Sequence, residues 1–235
     1  WGLRITDEQA FVDAVLDGQP EPPKYFAEMK RINKVGPAML GQFARPPLLA
    51  VDKLQPLLDA HVLIVDMRAA DTYAAGLIPG TINIPMSRSF NTWAGWLLPY
   101  DRDIYLILDE ARDASVLDTA VRDLAMIGLD RVAGYFTSDV VHAWARDGRS
   151  LTAIPQLTPA DVAMRMQGRA TVLDVRGVLE WEAGHLPGVA NMPLGYLTEH
   201  LDALPTDRPL IVHCQTGARS AIAASVLHAH GFRNV

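Results

Sequence analysis

Short apolar runs recur along the chain, and each one stops at a polar or turn-forming residue. Residues 62–65 (VLIV) stop at Asp66, 104–108 (IYLIL) at Asp109, 170–173 (ATVL) at Asp174, and 210–213 (LIVH) at Cys214. Runs this short, without apolar/polar alternation, predict strands buried on both faces. Between them the period changes to that of amphipathic helices. Residues 116–127 stop at Gly128, 158–167 start with Thr158 as N-cap and Pro159 at the first helical position, and 220–230 stop at Gly231. Strands alternating with helices imply an α/β fold, a mainly parallel sheet flanked by helices. The first 46 residues follow a different pattern. Residues 6–16 have helical periodicity capped by Thr6 or Asp7, the run DGQPEPP at 17–23 stops it, and 26–35 form another short amphipathic segment.

The pattern repeats once. VLIVDMR at 62–68 reads like ATVLDVR at 170–176, and GLIPGTINIP at 76–85 reads like GHLPGVANMP at 184–193. Asp66 to Asp174 and Pro85 to Pro193 are the same number of positions apart, so two tandem units of about 100 residues are the simplest account. The expected division is a helical segment at 1–46, a first unit at 47–152, and a second at 153–235 that is incomplete at its C-terminus. A chain of 235 residues with 49% hydrophobic content can fill two cores. Net charge −6 argues against a nucleic-acid partner. No apolar run is long enough to span a membrane. A single cysteine excludes an internal disulfide, which favours a reducing, cytoplasmic setting. The opening WGLRITDE lacks the basic and apolar regions of a signal peptide, and starting at Trp1 suggests a fragment or processed form.

That cysteine is the candidate for chemistry. Cys214 ends an apolar strand and precedes Gln215, Thr216, Gly217, Ala218, Arg219 and Ser220, a Gly-containing turn leading into a helix. Successive backbone N–H groups of such a turn form an anion-binding nest, and the helix N-terminus adds to it. With the Arg219 charge at the rim, the thiol pKa is expected below its free value of about 8.5, leaving a thiolate nucleophile. A cysteine serving only as a small core hydrophobe has no use for this turn and its arginine.

The stretch HCQTGARS at 213–220 resembles the active-site loop of rhodanese sulfurtransferases. LDVR at 173–176, with Glu180, Trp181 and the run 184–193, resembles their upstream signature. The resemblance covers residues 157–235 and implies tandem rhodanese-like domains in which the second is active. It implies that Cys214 takes a sulfane sulfur from thiosulfate or a glutathione-type persulfide, becomes a persulfide, and passes the sulfur to a thiol, sulfite or cyanide. Residues 215–220 would bind the substrate. Four residues separate Cys214 from Arg219, against five in cysteine-dependent phosphatases of similar topology. The smaller ring suits a single sulfur better than phosphate oxygens. Phosphatase or arsenate reductase chemistry is the more distant alternative, since neither Asp202 nor Asp207 is placed as a general acid. A binding or regulatory module without turnover is the other.

Asp174, Arg176, Glu180 and His185 are expected to support the site, the first three through an Arg176–carboxylate pair and His185 through a structural hydrogen bond. His213 alternates to the opposite strand face and is a poor base. In the first unit Asp109 or its immediate neighbour occupies the nucleophile's position, followed by Glu110, so that unit should be catalytically silent. Its expected role is structural, with a face closing the second active site; the other reading has Asp109 and Glu110 bind a ligand of their own.

Residues 18–33, with GQPEPPKYF and MKRIN, are similar to the C-terminal tail of metallo-β-lactamase-fold proteins fused to rhodanese domains, a group that includes persulfide dioxygenases. The first 46 residues would then be the helical remnant of an upstream domain. Such domains bind iron or zinc through H-x-H-x-D-H motifs. The seven histidines here are scattered, so this chain is expected to bind no metal or other cofactor itself. Its partners would be small anionic sulfur compounds, and a homo-oligomer is compatible with the sequence.

Overall fold

A computed structural model describes residues 2–19, 22–37, 45–109 and 115–235. Its elements are α1 (Glu8–Leu16), α2 (Tyr25–Val35), α3 (Leu54–Asp59), β1 (Leu63–Asp66), α4 (Ala70–Ala75), β2 (Ile82–Asn83), α5 (Phe90–Leu97), β3 (Ile104–Leu108), α6 (Val116–Met126), β4 (Val132–Thr137), α7 (Asp139–Arg146), α8 (Pro159–Met166), β5 (Thr171–Asp174), α9 (Val178–Glu182), β6 (Ala190–Asn191), β7 (Leu210–His213) and α10 (Ala218–Ala229). The strands form two all-parallel sheets, β2-β1-β3-β4 and β6-β5-β7. The chain is thus a mixed α/β protein with parallel sheets and flanking helices.

Alternation along each strand feeds two apolar layers. Ile64, Ile107 and Phe136 turn to one face of the first sheet, where Val140 and Trp144 of α7 cover them. Val65, Leu106 and Leu108 turn to the other. There the buried cluster continues into the second sheet through Leu173, Leu197, Ile222 and Leu227, so both sheets share one core layer. Helix α10 lies within it, with Ile222 to His228 all buried. The outer face of the second sheet buries Val172, Val189 and Ile211, with Val162 and Met166 of α8 packed against them.

Local signals mostly act where the sequence places them. Thr158 and Asp161 form a reciprocal capping box at α8, with Pro159 at the first helical position. Asp7 caps α1 by accepting from the Ala10 N–H at 2.8 Å. Gly128 and Gly231 follow their helices with φ of 84° and 91°. One boundary differs: α10 starts at Ala218, two residues earlier than its apolar period suggests, because Gly217 takes the left-handed conformation (φ 93°) as N-cap. Any side chain there would be strained.

The start of α2 docks near the junction of the sheets, with Tyr25 packed on Gly95 of α5. Lys24 lies over the rings of Trp96 in α5 and Tyr196 at 5.9 and 5.3 Å and pairs with Glu199. Trp96 and Tyr196 meet edge to face at 5.2 Å. A Cβ on Gly195 would stand 2.4 Å from the Trp96 ring, so only glycine allows this approach.

Candidate active site

Each sheet builds the same corner at the carboxyl end of its first strand. After β5, Arg176 donates through Nε to Asp174 Oδ1 and Oδ2 at 3.0 and 2.9 Å, and through Nη2 to Asp174 Oδ2 at 2.7 Å and to the Gly184 carbonyl at 2.8 Å. Asn191 donates to the Asp174 and Arg176 carbonyls, at 2.9 Å each. After β1, Arg68 donates to Asp66 at 2.9 and 2.7 Å and to the Gly76 carbonyl at 3.1 Å, and Asn83 donates to the Asp66 and Arg68 carbonyls at 2.8 and 2.9 Å. The asparagines were not among the expected site residues, although both repeats carry them at matching positions. Burial pulls the Asp66 carboxyl upward in spite of Arg68. Burial pulls on Asp174 too, but hydrogen bonds from Arg176, and then the neighbouring His213, hold it below the usual carboxylate range.

Cys214 follows β7 on the face of the shared core layer, with Val212. The sulfur accepts from the Gly217 N–H at 3.2 Å and the Ser220 N–H at 3.4 Å. Ser220 Oγ lies 3.7 Å from Sγ and donates to the Gly217 carbonyl at 3.0 Å. Burial pushes the thiol pKa up, and the Ser220 amide, the Ser220 hydroxyl, and the Thr216 and Gly217 amides together bring it below its ordinary value. The cradle is therefore built from N–H groups of one tight loop and the first turn of α10, as a nest requires. Such a site can stabilise a thiolate, or a further anionic sulfur bonded to it.

Arg219 stands at the rim as expected, but its nearest partner is a carboxylate. Its guanidinium grips Glu180 of α9 through both carboxylate oxygens at 2.5 and 2.8 Å. This pair holds Glu180 well below the usual carboxylate range, and the sulfur exerts a smaller influence on Arg219. The expected Arg176–carboxylate pair forms with Asp174, leaving Glu180 to span 39 residues to Arg219. His185 Nδ1 lies 2.9 Å from the Trp181 carbonyl and its ring stacks on Trp181 at 3.7 Å. His213 sits on the other strand face, with Nε2 3.7 Å from Asp174 Oδ2. Gln215 is exposed beside the cysteine.

Register fixes what replaces the thiol in the first sheet. Asp174 pairs with His213 across β5 and β7, and Asp66 pairs with Ile107 across β1 and β3. The Val175 N–H donates to the His213 carbonyl and the Met67 N–H to the Ile107 carbonyl, which is the same bond in both sheets. Leu108, fully buried, thus stands in the place of Cys214, and Asp109 comes one position later. Glu110 lies outside the described residues. Among the described residues no group of three or more His, Cys, Asp or Glu side chains gathers in a way that could hold a metal ion.

With this geometry in hand, residues 158–235 match the rhodanese-like domain profile. They belong to the rhodanese-like domain family. Among curated proteins, the chain is 33% identical over 86 residues to a putative sulfur carrier protein of Bacillus subtilis, covering 37% of this chain and 43% of that one. It is 32% identical over 74 residues to a thiosulfate sulfurtransferase of Pseudomonas entomophila, covering 32% of this chain and 67% of that one. The chain spans about half or less of the length of the first two curated relatives it matches. Among solved structures, a metallo-β-lactamase from Staphylococcus aureus aligns over 57% of this chain and 36% of that one, at 34% identity and TM-score 0.45. The rhodanese-like domain thus contains β5 to α10 and every residue of the cysteine cradle.

Proposed function

We propose that this chain is a sulfurtransferase that carries sulfane sulfur on Cys214. The observation that supports it best is the ring of N–H donors from Gly217 and Ser220 around a sulfur presented at the carboxyl end of a parallel strand. The Cys214 thiolate attacks the outer sulfur of thiosulfate or of an organic persulfide anion. One S–S bond forms and one breaks, and the electron pair leaves on sulfite or on the organic thiolate. The terminal sulfur of the Cys214 persulfide then carries the negative charge, where the amide cradle stabilises it. An acceptor (sulfite, cyanide or a thiolate) attacks that terminal sulfur and regenerates the Cys214 thiolate. No net oxidation occurs in either half.

Residues 215–220 form the binding loop in this reading, and the Asp174–Arg176–Asn191 corner holds the strand end that presents it. A wider reading rests on residues 18–33: the chain is the rhodanese part of a fusion whose metallo-β-lactamase-fold domain binds iron or zinc. In that arrangement the upstream domain would oxidise a persulfide to sulfite and the free thiol with dioxygen as the oxidant and water as co-reactant, and Cys214 would move sulfur between persulfide, sulfite and thiosulfate in the cytoplasm. An H-x-H-x-D-H motif encoded upstream in the same reading frame is the expected finding.

The direct test is intact mass after incubation with thiosulfate or glutathione persulfide. A stable gain of one sulfur atom by the native chain, and none by Cys214→Ser, is the expected result. Turnover with a cyanide or thiol acceptor should drop on the order of a thousandfold or more in Cys214→Ser. Equal turnover by both proteins eliminates the proposal.

A further inference from the structure

The first and second sheets repeat the Asp–Arg–Asn corner bond for bond, and only the second carries the thiol. Glu180 is not part of what repeats. Counting from the shared arginines and glycines, its counterpart beside the first sheet is Thr72 in α4, which has no carboxylate. The acid therefore occurs only beside the thiol, where it binds Arg219 through both oxygens. The other guanidinium of the rim, Arg176, is also held by a carboxylate, its Nε and Nη2 donating to the oxygens of Asp174. Two cations and two anions thus close on each other around a cradle whose nearest sulfur contacts are amide and hydroxyl groups, with Glu180 outweighing the sulfur in its hold on Arg219. Beside Glu180, α9 and the turn after it leave Val178, Leu179 and Leu186 44, 49 and 43% exposed. Their counterparts Ala70 and Asp71 are smaller or polar, and Ile78 is fully buried.

A rim with its charges paired and with apolar side chains exposed treats the two donor classes differently. Thiosulfate is a compact dianion that gains most from an uncommitted guanidinium. An organic persulfide is a monoanion with a carbon portion that can rest on apolar surface. Resting on the sulfurtransferase reading above, we propose that Glu180 is a specificity-determining residue, withholding the Arg219 charge from thiosulfate and directing the Cys214 site to organic persulfides.

The test compares kcat/KM for thiosulfate and for glutathione persulfide, with one acceptor, in the native chain and Glu180→Gln. Releasing Arg219 should raise the thiosulfate-to-persulfide ratio about fivefold, the size of a partly exposed ion-pair contribution. A pair that merely braces the loop would lower both donors together and leave the ratio unchanged, and that result overturns the assignment. A native chain inert to both donors is a different failure, that of the sulfurtransferase reading itself, and the assignment falls with it. Ionic strength supplies a test that needs no variant. A rim with paired charges predicts that native thiosulfate kcat/KM changes by less than about twofold between 0.05 and 0.5 M salt, whereas a fall of fivefold or more shows an available cation and refutes the proposal.

Discussion

The corner after β1 and the corner after β5 use the same three side chains in the same bonds, yet one is sealed and the other open. Asp66, Arg68 and Asn83 are all buried, and Ala190 and Asn191 of β6 are more accessible than Ile82 and Asn83 of β2. The sealed corner stands beside Leu108 and the open one beside Cys214. An arrangement that persists where there is no nucleophile cannot owe its existence to the reaction. The Asp–Arg–Asn set is structural: it joins the end of one strand to the next parallel strand and to the Gly76 or Gly184 turn. What distinguishes the second corner is what has been added to it, namely the thiol, the left-handed Gly217, Ser220 and the Glu180–Arg219 pair.

The comparison is tested most severely by removing the carboxylate from each corner. Asp66→Asn leaves the Arg68 guanidinium, 7% exposed, without its counter-ion and should cost about 3–5 kcal/mol of stability. Asp174→Asn should cost roughly half as much, because Arg176 is 13% exposed and water can reach it. Chemical denaturation of both variants measures the difference, and equal losses would show that burial does not separate the corners. The Asp174 effect also has a pH signature. Its folded pKa is depressed, so its contribution is full above the unfolded value of about 3.9 and disappears as pH falls through the folded value. The gap between native and Asp174→Asn stability should therefore close in acid.

Much of this organisation is legible in the sequence because it is local. Strands β3 and β7 begin and end where the apolar runs do, and the capping box of α8 needs only neighbouring residues. The repeat exposes the paired corners, since Asp, Arg and Asn recur at matching positions. Contacts between distant segments leave no such trace. The Glu180–Arg219 bond has no period, and a glutamate close to Arg176 reads as that arginine's partner. The replacement of Cys214 by Leu108 depends on strand register: the connection from β1 to β3 is two residues longer than that from β5 to β7, so counting alone points to Leu106, and the end of the apolar run points to Asp109. Ser225 has no place in the helical period that marks residues 220–230 in the sequence.

Ser225 is where the two corners cease to be independent. Its hydroxyl donates to the Ile222 carbonyl at 2.7 Å and accepts from the Asn83 N–H at 2.9 Å, so the edge strand of the first sheet is capped by the helix that follows Cys214. The sheet without a nucleophile thereby braces the active-site helix along its buried side. Ser225→Ala leaves the buried Asn83 N–H unpaired and should cost about 1–3 kcal/mol. Amide exchange at Asn83 should rise by a corresponding factor while the β5–β7 ladder stays protected. Unchanged protection at Asn83 would mean that the sheets are held together by the apolar layer alone.

The smallest expected effect concerns the groups that only the second corner possesses. Ser220 offers Cys214 its backbone N–H and, when its hydroxyl turns from the Gly217 carbonyl, an O–H as well. Ser220→Ala removes the second donor and keeps the first. Losing one hydrogen bond to a charged sulfur should raise the thiol pKa by about one unit. The shift is measured from the pH dependence of alkylation by a neutral reagent. The sign is fixed because the lost interaction favours the ionised form, so alkylation below the native pKa must slow by up to about tenfold. If the profile does not move, the backbone amides of Thr216, Gly217 and Ser220 hold the sulfur ionised without the hydroxyl, and the difference between the two corners narrows to a cysteine and the turn that follows it.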